Sequence, residues 1–330
     1  MKRTRHFASI TQKTPADAFT DVHTHFEGAI PADFFMKEFS AHPQYPHPDR
    51  LRLPVYNDMT DFARCWCGRM VYLSTPDAIR RAARMLAADL ERNHVAAVIM
   101  HFSPDEYFRH DLTAGTVAGA IQDGFRMSNV VCRLIIDCVR DNGPDHTGRM
   151  VEEALLLRNA GVIGIGLGGD ESAHPAGEFR QSFRKAKSGG LLTTAHCGEL
   201  SVESVVDAAE QLDIRRVVHG YRAADDPAVI RMLAEKGIAV EVCLSSYACM
   251  YGGRPMSTHP LMKLITGGVD IIIGTDDADM FTTTIAREYT LLGDLVGNDD
   301  RIVESIRNAS DRCRMYSGRV HINATFLTSG

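Results

Sequence analysis

The sequence contains no apolar run approaching the ~18 residues of a membrane span; its hydrophobic strings are short and broken by Gly, Asp or Arg. It also lacks an excess of positive charge, with 36 Lys and Arg against 42 Asp and Glu and a formal net charge of -6. Surfaces that bind polyanions carry a basic patch or stripe, so no nucleic-acid partner is expected. The basic start, Met1 to Ile10, is interrupted by polar residues before any apolar signal core, and a cytoplasmic protein with no membrane partner is expected. Cysteine is sparse, eight in 330 residues, and Cys132, Cys138 and Cys243 lie inside apolar strings. Small buried thiols, not a disulfide framework, fit that placement. Cys65 and Cys67 form a CxC with no second pair nearby, too little for a structural zinc site. No GxGxxG follows the first apolar run, which counts against a dinucleotide fold, and there is no internal repeat or low-complexity segment.

What is present is an alternation of short β-branched runs with longer amphipathic stretches, the pattern of βα units around a parallel sheet. Eight runs read as strands: Phe19 to His25, Val95 to His101, Val130 to Cys138, Val162 to Leu167, Leu191 to His196, Arg216 to His219, Ile238 to Cys243 and Val269 to Gly274. Helices are predicted over Asp77 to Arg92, Met150 to Ala160, Phe179 to Ser188, Val202 to Leu212 and Pro227 to Lys236, with a closing helix after Arg301. In the fifth of these, Asp226 stands as N-cap before Pro227 and the helix stops at Gly237. The strand runs are continuously apolar, as expected when both faces are covered. Nearly every one has a His, Asp or Glu at or within two residues of its C-terminal end, and in a barrel all C-terminal ends meet on one rim. The expected fold is α/β: a single (β/α)8 TIM barrel domain spanning 1–330, with its site on the C-terminal rim. Residues 38 to 60 include four prolines between His42 and Pro54 and show no period, so a loop is expected there. Asp58 to Met70 then reads as a short helix with Phe62 and Trp66 on one face. That helix either faces the core or forms a hydrophobic lid over the rim, and residues 38–70 are expected to be a substrate lid.

His23 and His25 are two apart at the end of the first strand and project to the same side. His196 ends the fifth strand, three residues before Glu199; His219 ends the sixth; the eighth leads into Asp276 and Asp277. Three histidines and a carboxylate form a set suited to one Zn2+ with water as a further ligand. A further histidine, a glutamate and an aspartate remain for acid-base work, which metal-assisted hydrolysis requires. Singly, each of these residues has a bland reading as a strand cap, a helix start or a turn; together, each at a strand's C-terminal end, they point to a site.

These segments resemble the adenosine deaminase family of the amidohydrolase superfamily. The correspondence runs in order through Asp21-Val-His-Thr-His-Phe-Glu-Gly28, Leu167-Gly-Gly-Asp-Glu171, Thr194-Ala-His-Cys-Gly-Glu199, Val218-His-Gly-Tyr-Arg222, Glu241-Val-Cys-Leu-Ser-Ser-Tyr247 and Gly274-Thr-Asp-Asp-Ala-Asp-Met-Phe281. The resemblance implies zinc ligands at His23, His25, His196 and Asp276. It makes Glu199 the acid toward purine N1 and His219 the residue that orients and deprotonates the attacking water. Asp277 would meet that water and the N7 edge, and the Gly169 backbone would meet N3. Glu27 stands where members acting on adenosine commonly carry Asp, and is similar to members acting on adenine or modified nucleosides. His101-Phe-Ser-Pro104 resembles a stretch that usually begins with Arg. Both departures count against plain adenosine. Phe62 and Trp66 are the candidates for the substrate's far end. The resemblance thus implies deamination of a small purine, with oligomeric state left open. Two alternatives stand beside it: a zinc hydrolase of another aminated heterocycle or a cyclic amide, and a non-catalytic nucleoside binder. Two-metal barrels use a bridging lysine, and no lysine ends a strand here; no ligand or acid of the set is missing.

Overall fold

A computed structural model describes residues 18–315; the basic Met1–Ile10 stretch and the end of the tail lie outside them. Eight strands follow one another in a single parallel sheet: β1 Phe19–His25, β2 Val95–Phe102, β3 Val131–Val139, β4 Val162–Gly168, β5 Leu192–Cys197, β6 Arg216–His219, β7 Ala239–Val242 and β8 Ile271–Ile273. Each neighbours the next in sequence, and helices fill the connections, which is the expected (β/α)8 barrel. The last two strands are shorter than their apolar runs at both ends, and after β7 the chain enters a short helix at Leu244–Cys249.

The ring closes between β8 and β1. His23 O accepts from both Thr275 N and Asp276 N at 3.0 Å, and His25 N donates to Asp276 O at 2.9 Å. The Asp21 carboxylate accepts from the Thr275 hydroxyl at 2.6 Å. Gly274 is required at this seam, since a Cβ there would lie 2.5 Å from His23 O.

Inside the barrel, Ile99, Ile135, Leu192 and Ile272 form an apolar floor with Ala239 against it, and Cys313 of the closing segment packs on the same cluster. Side chains on one face of a strand recur every second residue. Two positions further along β2, β3, β5 and β7 that face carries His101, Asp137, Thr194 and Glu241, and all four are buried. The barrel is therefore greasy below and polar above. The larger core lies between the sheet and the helix ring.

The capping chemistry agrees with the sequence at Asp226, which accepts from Ala228 N before Pro227, and at Gly237, with φ +61. The closing helix is Asp300–Arg312. Two expectations are corrected. A helix at Ala32–Ala41 runs into the stretch expected to be loop from residue 38, because Phe34 and Phe35 bury against the core ahead of the prolines. The helix expected from Met150 starts at Gly143, where Pro144 occupies the first turn, and tightens to a 3-10 turn at Leu157–Ala160. Ala114–Phe125 and Ile285–Leu295 are helices that the sequence reading did not single out. Among the described residues no helix is long and apolar enough to cross a membrane.

The segment above the rim is fastened rather than loose. Helix Met59–Met70 is capped by Asp58, which accepts from Thr60 N and Asp61 N. From it the fully buried Arg69 donates to Leu51 O at 3.0 Å and to Glu27 O and Ile30 O at 3.3 Å, and pairs with Asp279 after β8. Removing one partner of a buried pair costs about 3–5 kcal/mol. Thermal denaturation of Arg69→Met should show a loss of that size; a change below about 1 kcal/mol would mean that this anchor does not hold the segment.

Candidate active site

Four of the strand-end residues converge as the sequence predicts. The ring nitrogens of His23, His25 and His196 lie within 4.8 Å of one another. His25 Nε2 and His196 Nε2 are 3.2 Å apart, while Asp276 Oδ1 stands 3.5 Å from His25 Nε2 and 3.7 Å from His23 Nε2. Two nitrogens each bound at 2.0–2.1 Å to a tetrahedral zinc would be about 3.3 Å apart, so the spacing and the N/O donor set fit that ion. His23 Nε2 is buried without a hydrogen-bond partner, an orphan that a cation would satisfy. Burial holds His25 and His196 below the usual histidine range, leaving their nitrogens free to donate electron pairs. Burial also disfavours a charge on His23, yet the carboxylates of Asp276 and Glu241 on either side push it up to about 10. That demand for positive charge marks the same spot.

The acid-base groups surround this cluster. His219 Nε2 lies 3.9 Å from Asp276 Oδ2 and 4.0 Å from Glu199 Oε2. On its other side, His219 Nδ1 is 3.1 Å from the Tyr221 hydroxyl, which donates to Cys243 O at 3.3 Å. Since that hydroxyl's proton is committed, it accepts from Nδ1–H, and the lone pair of His219 faces the site at Nε2. Burial keeps the ring below the usual range. Glu199 is pushed up to about 8 by burial, then by Asp276 and Glu171, so it holds a proton at neutral pH. The two neighbouring aspartates separate: burial and the charge of Asp276 drive Asp277 well above the usual range, whereas His23 and the other imidazoles hold Asp276 well below it against burial. Both His219 and Asp276 adopt left-handed backbone, φ +67 and +59, a strain found where function needs a side chain aimed.

On the substrate side the placements differ. Glu27 is buried in a helical turn after β1; its Oε1 accepts from Ser103 N at 3.2 Å and from the Tyr107 hydroxyl at 2.9 Å, while Oε2 is unpartnered. Burial pushes it up to about 8. Trp66 sets its ring against His25 at 5.9 Å, and Phe62 stacks on Phe281 at 6.1 Å, so helix Met59–Met70 overhangs the ligand cluster. Gly169 is exposed just past β4 with φ +86 and offers only backbone.

The sequence reading gave no role to Tyr221, Glu241, Glu171 or Asp137. Glu241 Oε2 lies 2.9 Å from His23 Nδ1, and Glu171 accepts from Glu199 N at 2.7 Å. The first, second and third of these sit inside motifs already quoted, so strand-end position was the available signal; Asp137 stood next to last in its run but in no quoted motif.

The family model described as adenosine deaminase matches residues 19–313. The chain belongs to the adenosine deaminase family. As a member of the adenosine deaminase family it is a hydrolytic deaminase acting on C–N bonds. An adenosine deaminase of Erwinia tasmaniensis is 30% identical over 84% of this chain and 88% of its own length. An adenine deaminase of Rhizobium meliloti is 29% identical over 86% of this chain and 90% of its own length. Among solved structures, an amidohydrolase from Burkholderia ambifaria with bound Zn superposes with a TM-score of 0.80 at 24% identity, covering 90% of this chain and 85% of that one.

Gly28 is the tightest contact in the site: a Cβ there would lie 1.8 Å from Asp277 Oδ1. Gly28→Ala should therefore displace Asp277 and lower kcat/KM at least 100-fold while the protein stays folded by circular dichroism. Unchanged turnover would show that Asp277 does not need its present position.

Proposed function

We propose that this chain removes the 6-amino group of an adenine-type purine by zinc-dependent hydrolysis, taking up water and releasing ammonia. The observation that supports it best is the pairing of a proton-bearing Glu199 with a tautomer-fixed His219 beside the nitrogen cluster. His23, His25, His196 and Asp276 would hold one zinc. When bound there, zinc supplies Lewis acidity, which brings the pKa of water to about 7.

The chain's own groups do the rest. His219 Nε2 accepts a proton from the attacking water as oxygen joins C6. Glu199 gives its proton to ring N1, so the ring accepts the electron pair displaced from the C6–N1 double bond. Asp277, kept protonated, donates to N7 and fixes the ring plane. Collapse then expels the amino group as ammonia with the proton held on His219, while the C6 hydroxyl becomes the 6-oxo group by giving its remaining proton to the Glu199 carboxylate, which resets both groups. Donors held for the tetrahedral centre rather than the flat ring bind the transition state best. Gly169 offers its backbone to N3, and the buried Glu27, with Oε2 open, reads the substrate edge remote from C6. Phe62 and Trp66 close over that end. A Glu at this position favours adenine or a modified nucleoside over plain adenosine, and both adenine and adenosine deaminases stand among the relatives at similar identity.

Ammonia release should be measured across adenine, adenosine, deoxyadenosine, AMP, 5′-modified adenosines, pterins and cytosine. Turnover of at least one purine and of neither pterin nor cytosine is expected; the reverse would overturn the purine assignment. Loss of one positioned acid or base costs about 10²–10⁴-fold. Glu199→Gln should lose that much in kcat, and His219→Ala should lose a similar factor while retaining one zinc per chain by metal analysis. Zinc loss from His219→Ala would instead make that residue a ligand. Replacing Phe62 and Trp66 by Ala should raise KM for the active substrate; unchanged KM would remove the lid role.

A further inference from the structure

Behind the ligand cluster lies a carboxylate that the reaction above does not use. Asp137 is buried near the end of β3, on the face that points into the barrel. Its Oδ1 is 3.5 Å from His101 Nδ1 and 3.8 Å from His196 Nδ1. His25, His101 and Asp137 place one ligand-type atom each within 4.8 Å of the others. Strand β4 makes room for it: a Cβ on Gly166 would lie 2.5 Å from Asp137 Oδ1, and one on Gly168 would lie 2.3 Å from Oδ2. Two side chains of the neighbouring strand are thus given up to seat one carboxylate. Among the described residues no arginine or lysine pairs with it. A buried carboxylate without a paired cation is costly. An ion bound by His25 and His196 would place a positive charge on the far side of those rings.

We propose that Asp137 is a positioning residue for the metal centre: it holds His101 through Nδ1, lies 3.8 Å from His196 Nδ1, and balances the charge of the ion from behind the ligands. This rests on the zinc reading of the site. His196 Nδ1 hydrogen-bonds Leu167 O at 3.3 Å, which turns Nε2 toward His25, and the Asp137 carboxylate at 3.8 Å acts on that ring through its charge. Partners of this kind fix the ring and raise ligand basicity, and their loss typically weakens metal binding about 10–100-fold. A second ion held by His25, His101 and Asp137 is the rival arrangement. It would draw His25 away from the first centre and leave only two ligands of its own, fewer than the three or more protein ligands of zinc sites.

The test is zinc affinity by competition with a chelator, together with zinc stoichiometry and the visible spectrum of the Co2+-loaded protein. Wild type should bind one equivalent. Asp137→Asn keeps the shape and removes the charge; it should weaken zinc binding about 10–100-fold and alter the Co2+ spectrum, with an unchanged melting temperature for the metal-free protein. Gly166→Ala, which presses on Asp137 Oδ1, should weaken binding in the same direction and serves if Asp137→Asn does not fold. Affinity within twofold of wild type in the folded variants would overturn the proposal. Two equivalents in wild type and one in Asp137→Asn would overturn it in favour of the second ion. No zinc bound by wild type would defeat the metal reading and this proposal together. Tight zinc binding without purine turnover would defeat only the substrate assignment.

Discussion

The seam between the last strand and the first governs this molecule. The proposed ligands come from opposite ends of the chain, His23 and His25 near residue 24 and Asp276 some 250 residues later. One carbonyl, His23 O, accepts two amides of the β8 exit, and the Thr24 hydroxyl returns a bond to Asp276 O at 2.7 Å. Backbone hydrogen bonds therefore fix the carboxylate relative to the imidazoles before any ion is considered. The left-handed backbone at Asp276 and the absence of a side chain at Gly274 are the local costs of that closure. A barrel that stayed open here would keep its core but lose its site.

Within the closed ring, environment divides the work among groups of the same chemical type. Asp276 and Asp277 are adjacent in sequence, yet one sits among imidazoles and stays charged while the other, beside it and buried, keeps its proton. Five histidines stand around the polar layer, with ring centroids of His23 lying 4.3 to 6.4 Å from the other four. What distinguishes them is the partner on the far nitrogen: Glu241 for His23, Leu167 O for His196, Tyr221 for His219 and Asp137 for His101. Pairs of titratable groups pushed apart by their surroundings separate acid from base.

This explains what the sequence disclosed and what it withheld. The strands, their order and the strand-end His, Glu and Asp residues were legible because period and position along the chain encode them. Phe62 and Trp66 could be placed on one helix face for the same reason, but not over His25, which depends on how Arg69 docks that helix. Asp137 was hidden inside Val131–Val139, a run that reads as ordinary buried strand; its meaning comes from Gly166 and Gly168 on the next strand. The helix at Ala32–Ala41 was obscured by the prolines that follow it. For Trp66 and Asp137 the missing information is a contact between segments distant in sequence.

Trp66 gives the molecule an optical property. It is the single tryptophan in the chain, and its ring sits edge-on to a proposed ligand imidazole, 5.9 Å between centroids. Indole emission responds to charge and polarity at that distance, and no second indole elsewhere dilutes the signal. The protein thus carries an internal reporter beside its chemistry, so events at the ligand cluster and movements of the overhanging helix can be followed by intrinsic fluorescence without a label.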